Sequence, residues 1–372
     1  MRRIIETLRA GNIECSPNER LTLDVNMFEE RETVHAVPKN VVYEDPAPDG
    51  NRVDVPETAE SYFRFFLDGC ETFHHVIDAS FRGSYLPICA AQVGVAVLER
   101  VRNRPYHVLK DERFTRIRRL LLLPRGHLPP EDIRSLTVQI NEALPTSCHF
   151  DVVEYNPRGN IGADTRQEPE YHARACVLSH LHDMELSAMQ ALLSEGLISG
   201  HDWLALDGGL QFRQSATLEE LLRGDVFARN VVALAKTRDP SQTVGSGRQA
   251  QSIGNLTRNL DFAERTPAFT TNKHERLVRG FWYLRIRPRR FIYFPQQGMI
   301  KLEVFADGME RAEGGLNPAR VNGISSCVLR ERNVTPFKTD DRWGNHLYPI
   351  YTAERYLKSS FLSEMRFKAL II

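Results

Sequence analysis

No stretch of this 372-residue chain approaches the ~20 consecutive apolar residues of a membrane-spanning helix. Runs such as Leu120–Pro124 are only a strand's worth. The opening Met1-Arg2-Arg3-Ile4-Ile5-Glu6 carries no long apolar stretch of the signal-peptide kind. Cysteine is sparse: six residues, at 15, 70, 89, 148, 176 and 327, none of them in a C-x-x-C pair. Those spacings suggest neither a disulfide framework nor a zinc site. Reduced thiols in a cytoplasmic protein are expected, most of them core fillers. Gly-x-Ser-x-Gly is absent, which argues against a serine hydrolase. Val244-Gly245-Ser246-Gly247-Arg248 lacks the spacing and the lysine of a phosphate-binding P-loop, so any ATP use would belong to a partner. Net charge is absent too, with 48 Lys plus Arg against 48 Asp plus Glu. Neither an internal repeat nor a low-complexity tract is present. What remains, 42% hydrophobic and 26% charged, is an ordinary folding composition in a chain long enough to bury a core without crosslinks.

The charge is unevenly spread. Residues 1–60 hold 13 acidic and 7 basic side chains, a net of −6, so the remainder carries +6. The densest basic segment is 99–125, where Arg116, Arg118 and Arg119 follow one another closely. Such a stripe suits a phosphate backbone, and a solvated surface is the plainer reading. Residues 1–58 read as a peripheral arm, because Pro46-Ala47-Pro48-Asp49-Gly50 has the chemistry of turns and linkers. The main domain is expected over 59–372.

Within it, Tyr62-Phe63-Arg64-Phe65-Phe66-Leu67 reads as a buried strand stopped by Asp68-Gly69. Pro169–Glu195 is the clearest helix, with proline at its start and Gly196 at its end. Trp203–Leu206 is a second buried strand, stopped by Asp207-Gly208-Gly209. Segments 280–286, 290–295 and 299–305 read as three antiparallel strands. Segments 318–331 and 352–367 read as closing helices. The alternation implies a mixed α/β sheet flanked by helices, with insertions and an antiparallel C-terminal strand group. The ending Phe367-Lys368-Ala369-Leu370-Ile371-Ile372 is an apolar tail expected to dock within a dimer or onto a partner, with tucking into the chain's own core as the alternative.

The chemistry lies in carboxylates. An aspartate closing a buried strand is rigidly held, and the following glycine leaves room beside it. Two that converge repel unless a divalent cation or a shared proton joins them. Mg²⁺ and Mn²⁺ prefer oxygen ligands, so Asp68 and Asp207 form a candidate pair. An Asp-Gly that merely starts a turn is the alternative. Glu185 lies on the apolar stripe Leu178-Leu181-Ala188-Leu192, where an unpaired carboxylate is costly. It needs a metal or an arginine, or must snorkel to water.

Several spaced signals resemble, in order, the NurA nuclease family. They are Phe66-Leu67-Asp68-Gly69, Met184-Glu185-Leu186, Leu204-Ala205-Leu206-Asp207-Gly208-Gly209-Leu210, Val231-Val232-Ala233-Leu234-Ala235-Lys236-Thr237, Trp282-Tyr283-Leu284-Arg285, Ile300-Lys301-Leu302-Glu303 and Tyr348-Pro349-Ile350-Tyr351-Thr352-Ala353-Glu354. The resemblance spans about residues 60–365. It implies an RNase H-like core, DNA cleavage with Mn²⁺ or Mg²⁺, a homodimer, and work beside a hexameric HerA-type helicase–translocase in DNA end processing or phage defence. It also implies metal roles for Asp68, Glu185 and Asp207, and places Lys236 near DNA phosphates. Tyr348 or Glu354 would orient water or contact DNA.

Three departures stand out. Cys70 follows Asp68-Gly69 where the family usually has serine. Gly209 stands where serine is common. Glu354 replaces the histidine that usually ends the last motif, and a carboxylate cannot act as a neutral imidazole donor. His346 is placed to supply an imidazole instead. The expected activity is metal-dependent deoxyribonuclease. The alternative is a catalytically weak DNA-binding adaptor subunit of a HerA-type translocase complex.

Overall fold

The computed structural model describes residues 4–10, 13–17, 40–57, 60–81, 83–101, 106–158, 168–210, 215–222, 224–235, 240–245, 250–270, 278–295, 297–333 and 344–371. Its strands are β1 (Glu14–Pro17), β2 (Val41–Val42), β3 (Val53–Asp54), β4 (Phe63–Phe81), β5 (Ser84–Glu99), β6 (His107–Val108), β7 (Arg116–Pro124), β8 (Asp151–Tyr155), β9 (Trp203–Asp207), β10 (Val231–Ala235), β11 (Thr243–Val244), β12 (Gln251–Ser252), β13 (Glu264–Arg265), β14 (Phe269–Thr270), β15 (Arg279–Arg285) and β16 (Met299–Phe305). Its helices are α1 (Ile4–Ala10), α2 (Pro130–Glu142), α3 (Pro169–Ser194), α4 (Ala216–Leu221), α5 (Asp225–Asn230), α6 (Ile253–Arg258), α7 (Gly308–Glu313), α8 (Pro318–Glu331), α9 (Tyr348–Ser360) and α10 (Glu364–Ile371).

Apart from the β11–β12 pair, these strands form one mixed sheet with the order β2-β14-β15-β16-β10-β9-β4-β5-β7-β8. Central β9 is parallel to both β4 and β10. β15 and β16 are antiparallel, as the C-terminal strand group was expected to be. Helices cover both faces, which is why β5 reads as a near-continuous apolar run rather than an alternating one. On one face, Phe65, Leu67, Val93, Val95, Leu204 and Leu206 pack under α3. On the other, Phe66, Leu98, Ala205 and Val232 pack under α8 and α9.

Three sequence expectations change, and an open alternative at the C-terminus is decided. β4 does not stop at Asp68-Gly69 but runs 19 residues to Phe81, because β5 pairs with it along its length. Segment 290–295 is not a strand; Pro288 opens a 3₁₀ turn over Arg289–Phe291. The closing helix is two, α9 and α10, separated at Phe361-Leu362-Ser363. The apolar tail folds inward: Phe367 and Ile371 are fully buried beside Ile4, Leu8 and Phe150.

The described pieces of residues 1–58 are woven into the sheet. Ile4, Ile5 and Leu8 of α1 join the core, β1 pairs with β4, and β2 with β14. Glu44 accepts both arms of the Arg265 guanidinium, at 2.6 and 3.0 Å, in a pair almost wholly removed from water. Among the described residues, no helix is long and apolar enough to cross a membrane.

Candidate functional site

β4 and β9 run parallel with Phe66 opposite Ala205 and Leu67 opposite Leu206. The next residues, Asp68 and Asp207, therefore stand side by side. Strand alternation sends them to the α9 face with Phe66 and Ala205. Cys70 marks the same face: its thiol donates to Asp68 Oδ2 at 3.9 Å and packs against Leu357 of α9. Asp207 is the last residue of β9. Gly208, at φ +106°, then turns the chain and donates its N–H to Leu234 O at 3.1 Å. The turn needs glycine because that conformation is strained for residues with a side chain.

A gap in the sheet opens here. β9 ends while β4 continues, and β1 joins the same edge of β4 only at Ile77, opposite Pro17. Among the described residues, that edge has no strand partner between 69 and 76. Side chains from both layers reach this opening.

Glu185 comes from the α3 side. A Cβ at Gly69 would collide with Glu185 Oε1 and press on Leu181 Cδ1 at 3.1 Å. The missing side chain lets the glutamate carboxyl rest on the strand backbone. Burial, and after it the nearby Asp207 charge, pushes Glu185 up to about 8, so it is largely protonated at neutral pH.

From the other layer α9 brings Glu354 and Lys358, whose Nζ lies 2.5 Å from Glu354 Oε1. Buried His346 stands 3.9 Å from Glu354 Oε2 and edge-on to Tyr351. Burial pushes the Cys70 thiol far up, and the charges of Asp68, Glu354 and Asp207 add to this while Lys358 opposes it. Cys70 is thus a neutral donor amid carboxylates. Tyr348 sits apart from them. It opens α9, is 52% exposed, and leans on Tyr106 with ring centroids 6.1 Å apart. Six residues separate it from Glu354, about 9 Å of helix rise.

The arginines divide. Arg116 stands opposite Val95, itself opposite Gly69, and donates to Met184 O at 3.5 Å on the α3 face. Arg118 is exposed and pairs with Asp151 at 2.9 Å. Arg119, one residue further along the strand, points to the opposite face by alternation. The three do not make one stripe, because a strand turns alternate side chains to opposite faces. Lys236 lies outside the described residues, directly after β10.

Two side-chain roles escaped the sequence reading. Lys358 was legible as the i+4 partner of Glu354 on a helix. Glu303 is buried and accepts the Leu210 N–H at 2.8 Å, which fixes the loop after Asp207. Burial opposes its ionisation, yet Lys301 at 2.6 Å and Arg279 at 3.5 Å hold it below the ordinary glutamate range. The alternation of Lys301 and Glu303 on one face was its signal.

Among the described residues, no group of three His, Cys, Asp or Glu stands assembled to hold a metal ion. Mg²⁺, however, is commonly bound through one or two carboxylates, with waters and substrate phosphates completing its shell. The all-oxygen Asp68–Asp207 pair has that chemistry, and a cation there would draw Glu185 back toward its ionised form.

No protein-family model matches the chain, and no curated protein matches it. Among solved structures the chain is similar to one described as the crystal structure of the NurA nuclease from Sulfolobus solfataricus. The identity is 12%, the match covers 86% of this chain and 85% of that one, and the TM-score is 0.42.

Proposed function

We propose that the chain is a metal-dependent deoxyribonuclease with an RNase H-like arrangement of carboxylates. The observation that carries this is the Asp68–Asp207 pair on adjacent parallel strands, at an opening that Glu185 enters from the opposite layer. Asp68 and Asp207 would hold Mn²⁺ or Mg²⁺, with Glu185 as a further ligand once ionised. When bound, the ion supplies Lewis-acid polarisation of phosphate and water. The chain supplies the rest. β4 and β9 fix the aspartates, the Cys70 thiol orients Asp68, and Glu303 pins the loop behind Asp207. Lys358 offers a cation for phosphate charge, with Glu354 and His346 setting its position. The ordered motifs shared with the NurA family extend the reading to a homodimer working in the cytoplasm with a HerA-type ATPase hexamer, in DNA end processing or phage defence.

A second reading, the catalytically weak adaptor, is favoured by Glu354, whose carboxylate is engaged by Lys358. Incubation with linear DNA and Mn²⁺, beside Asp68→Ala and Asp207→Ala, separates the two. Cleavage by the wild type alone supports the nuclease. Wild type and variants equally inert, with and without a translocase, defeat it, and DNA retained uncut then favours the adaptor.

A further inference from the structure

The connection between β15 and β16 exposes aromatic rings. Phe291 is 50%, Tyr293 92% and Phe294 43% exposed, within the basic sequence Arg287-Pro288-Arg289-Arg290-Phe291. Neighbouring rings left in water mark a surface that gains by being covered. The Arg290 guanidinium lies over the Phe291 ring at 4.9 Å.

The base of this connection is firmly held. Buried Arg285 donates to the carbonyls of Leu260 at 2.6 Å, Pro295 at 3.0 Å and Gln297 at 3.2 Å. Arg287 donates to the carbonyls of Gly344 and Asn333, and Arg289 to those of Leu260 and Arg258. The Arg289 bonds go to neutral carbonyl acceptors, which orient its guanidinium without cancelling its charge. The Tyr293 N–H donates to Gln297 Oε1 at 2.9 Å. The rings are therefore presented on a preordered support beside Arg289 and Arg290, which lowers the entropy lost on binding.

Two further observations point to the occupant. A polar cavity of about 390 Å³ adjoins the connection, lined by Asn51, Arg52, Gln251, Asn255 and Asn259 and sharing Arg289 with it. Asn51 Nδ2 donates to Gln251 Oε1 at 3.1 Å, and the side-chain amides of Asn255 and Asn259 offer donors and acceptors of the kind that match nucleobase edges. The second is position. Asp207 pairs with Leu234, Leu234 with Leu302, and Leu302 with Trp282. The connection starts four residues beyond Trp282, at the same end of the sheet as the aspartates. Three strand spacings and four residues amount to roughly 20 Å.

We propose that residues 287–295 of this connection and the adjoining cavity bind single-stranded nucleic acid, with bases stacked on Phe291, Tyr293 and Phe294 and phosphates balanced by Arg289 and Arg290. The bound strand runs along this rim toward Asp68 and Asp207; that direction rests on the nuclease reading, whereas the binding does not. Basic charge interleaved with exposed rings is the chemistry of single-strand platforms.

Fluorescence anisotropy with a labelled oligothymidylate, in buffer containing a chelator, reads binding without cleavage. The full chain is expected to bind the single strand more tightly than a duplex. Phe291→Ala with Tyr293→Ala should weaken binding at least about tenfold. Arg290→Ala should reduce the salt slope by about one. Melting temperatures should stay at the wild-type value, since the deleted rings are exposed. Because the chelator withholds any metal, this result stands whether or not the chain cleaves DNA. Equal binding by the wild type and the aromatic double variant overturns the proposal, as does a preference for duplex. So does an aromatic variant that keeps the oligonucleotide but loses self-association in light scattering, which would assign the patch to a second copy of the chain.

Discussion

The carboxyl group of Glu185 rests against the α-carbon of Gly69, in the space a β-carbon would fill. One absent side chain in the longest strand thus lets an acid from α3 reach the sheet beside the aspartate pair. Because β9 ends at Asp207, the acid meets an open strand edge rather than a closed ladder.

Gly69→Ala tests that packing directly. In an ordinary strand the change would be mildly favourable, since glycine weakens strands. Here the methyl group meets Glu185 Oε1 and Leu181 Cδ1. Overpacking of this kind costs ~1–3 kcal/mol. Urea melts of Gly69→Ala, Glu185→Ala and the double variant should show the pair recovering much of that loss. Strict additivity would mean the two residues do not compete for the space.

Glu185 should also imprint a pH dependence on stability. Its folded value of about 8 lies above the ordinary 4.5, so the fold favours the protonated form. That contribution is full below about pH 4.5 and is lost as pH rises through about 8. In metal-free buffer the wild type should lose on the order of a few kcal/mol across this window. Glu185→Gln keeps the shape without the proton and should flatten the profile, becoming the more stable protein above pH 8. Parallel profiles for the two proteins would show that another group carries the dependence.

Much of this was legible in the sequence, and the misses share a cause. Helix 318–331 and the two aspartate-bearing strands could be read locally, from proline starts and apolar runs. Asp68-Gly69 misled because Asp-Gly has turn chemistry, whereas Gly69 serves a partner 116 residues away in the chain. No local pattern distinguishes a glycine that turns the chain from one that clears space. The C-terminal tail stayed open between a partner and its own core for the same reason, since the surface that buries Phe367 is built by α1, α2 and β8. Arg116 and Arg119 looked like one basic stripe in sequence, but a strand sends them to opposite faces.

Phe367 stacks on Phe150 with centroids 5.6 Å apart and leans on His74 at 5.9 Å. Phe367→Ala should therefore cost ~3–5 kcal/mol, the usual range for a buried aromatic. Thermal melting, with mass measured by light scattering, checks this. A large fall in melting temperature at unchanged mass is expected; a change of mass at unchanged melting temperature would return the tail to an assembly role.

The last prediction concerns Asp68 and Asp207 without reference to cleavage. Two carboxylates side by side repel when both carry charge. Asp68→Asn removes one charge while nearly preserving shape, so in chelator the variant should melt higher than the wild type. Adding Mn²⁺ should raise the wild-type melting temperature, because an ion bound only by the folded state stabilises it by ~2.7 kcal/mol at a hundred times its Kd. Neither Asp68→Asn nor Asp207→Asn should show the full rise. Glu354→Gln, which leaves both strand aspartates in place, should retain most of it. A wild type whose melting is indifferent to Mn²⁺, with Asp68→Asn no more stable in chelator, would mean that the pair is neither strained nor a cation site.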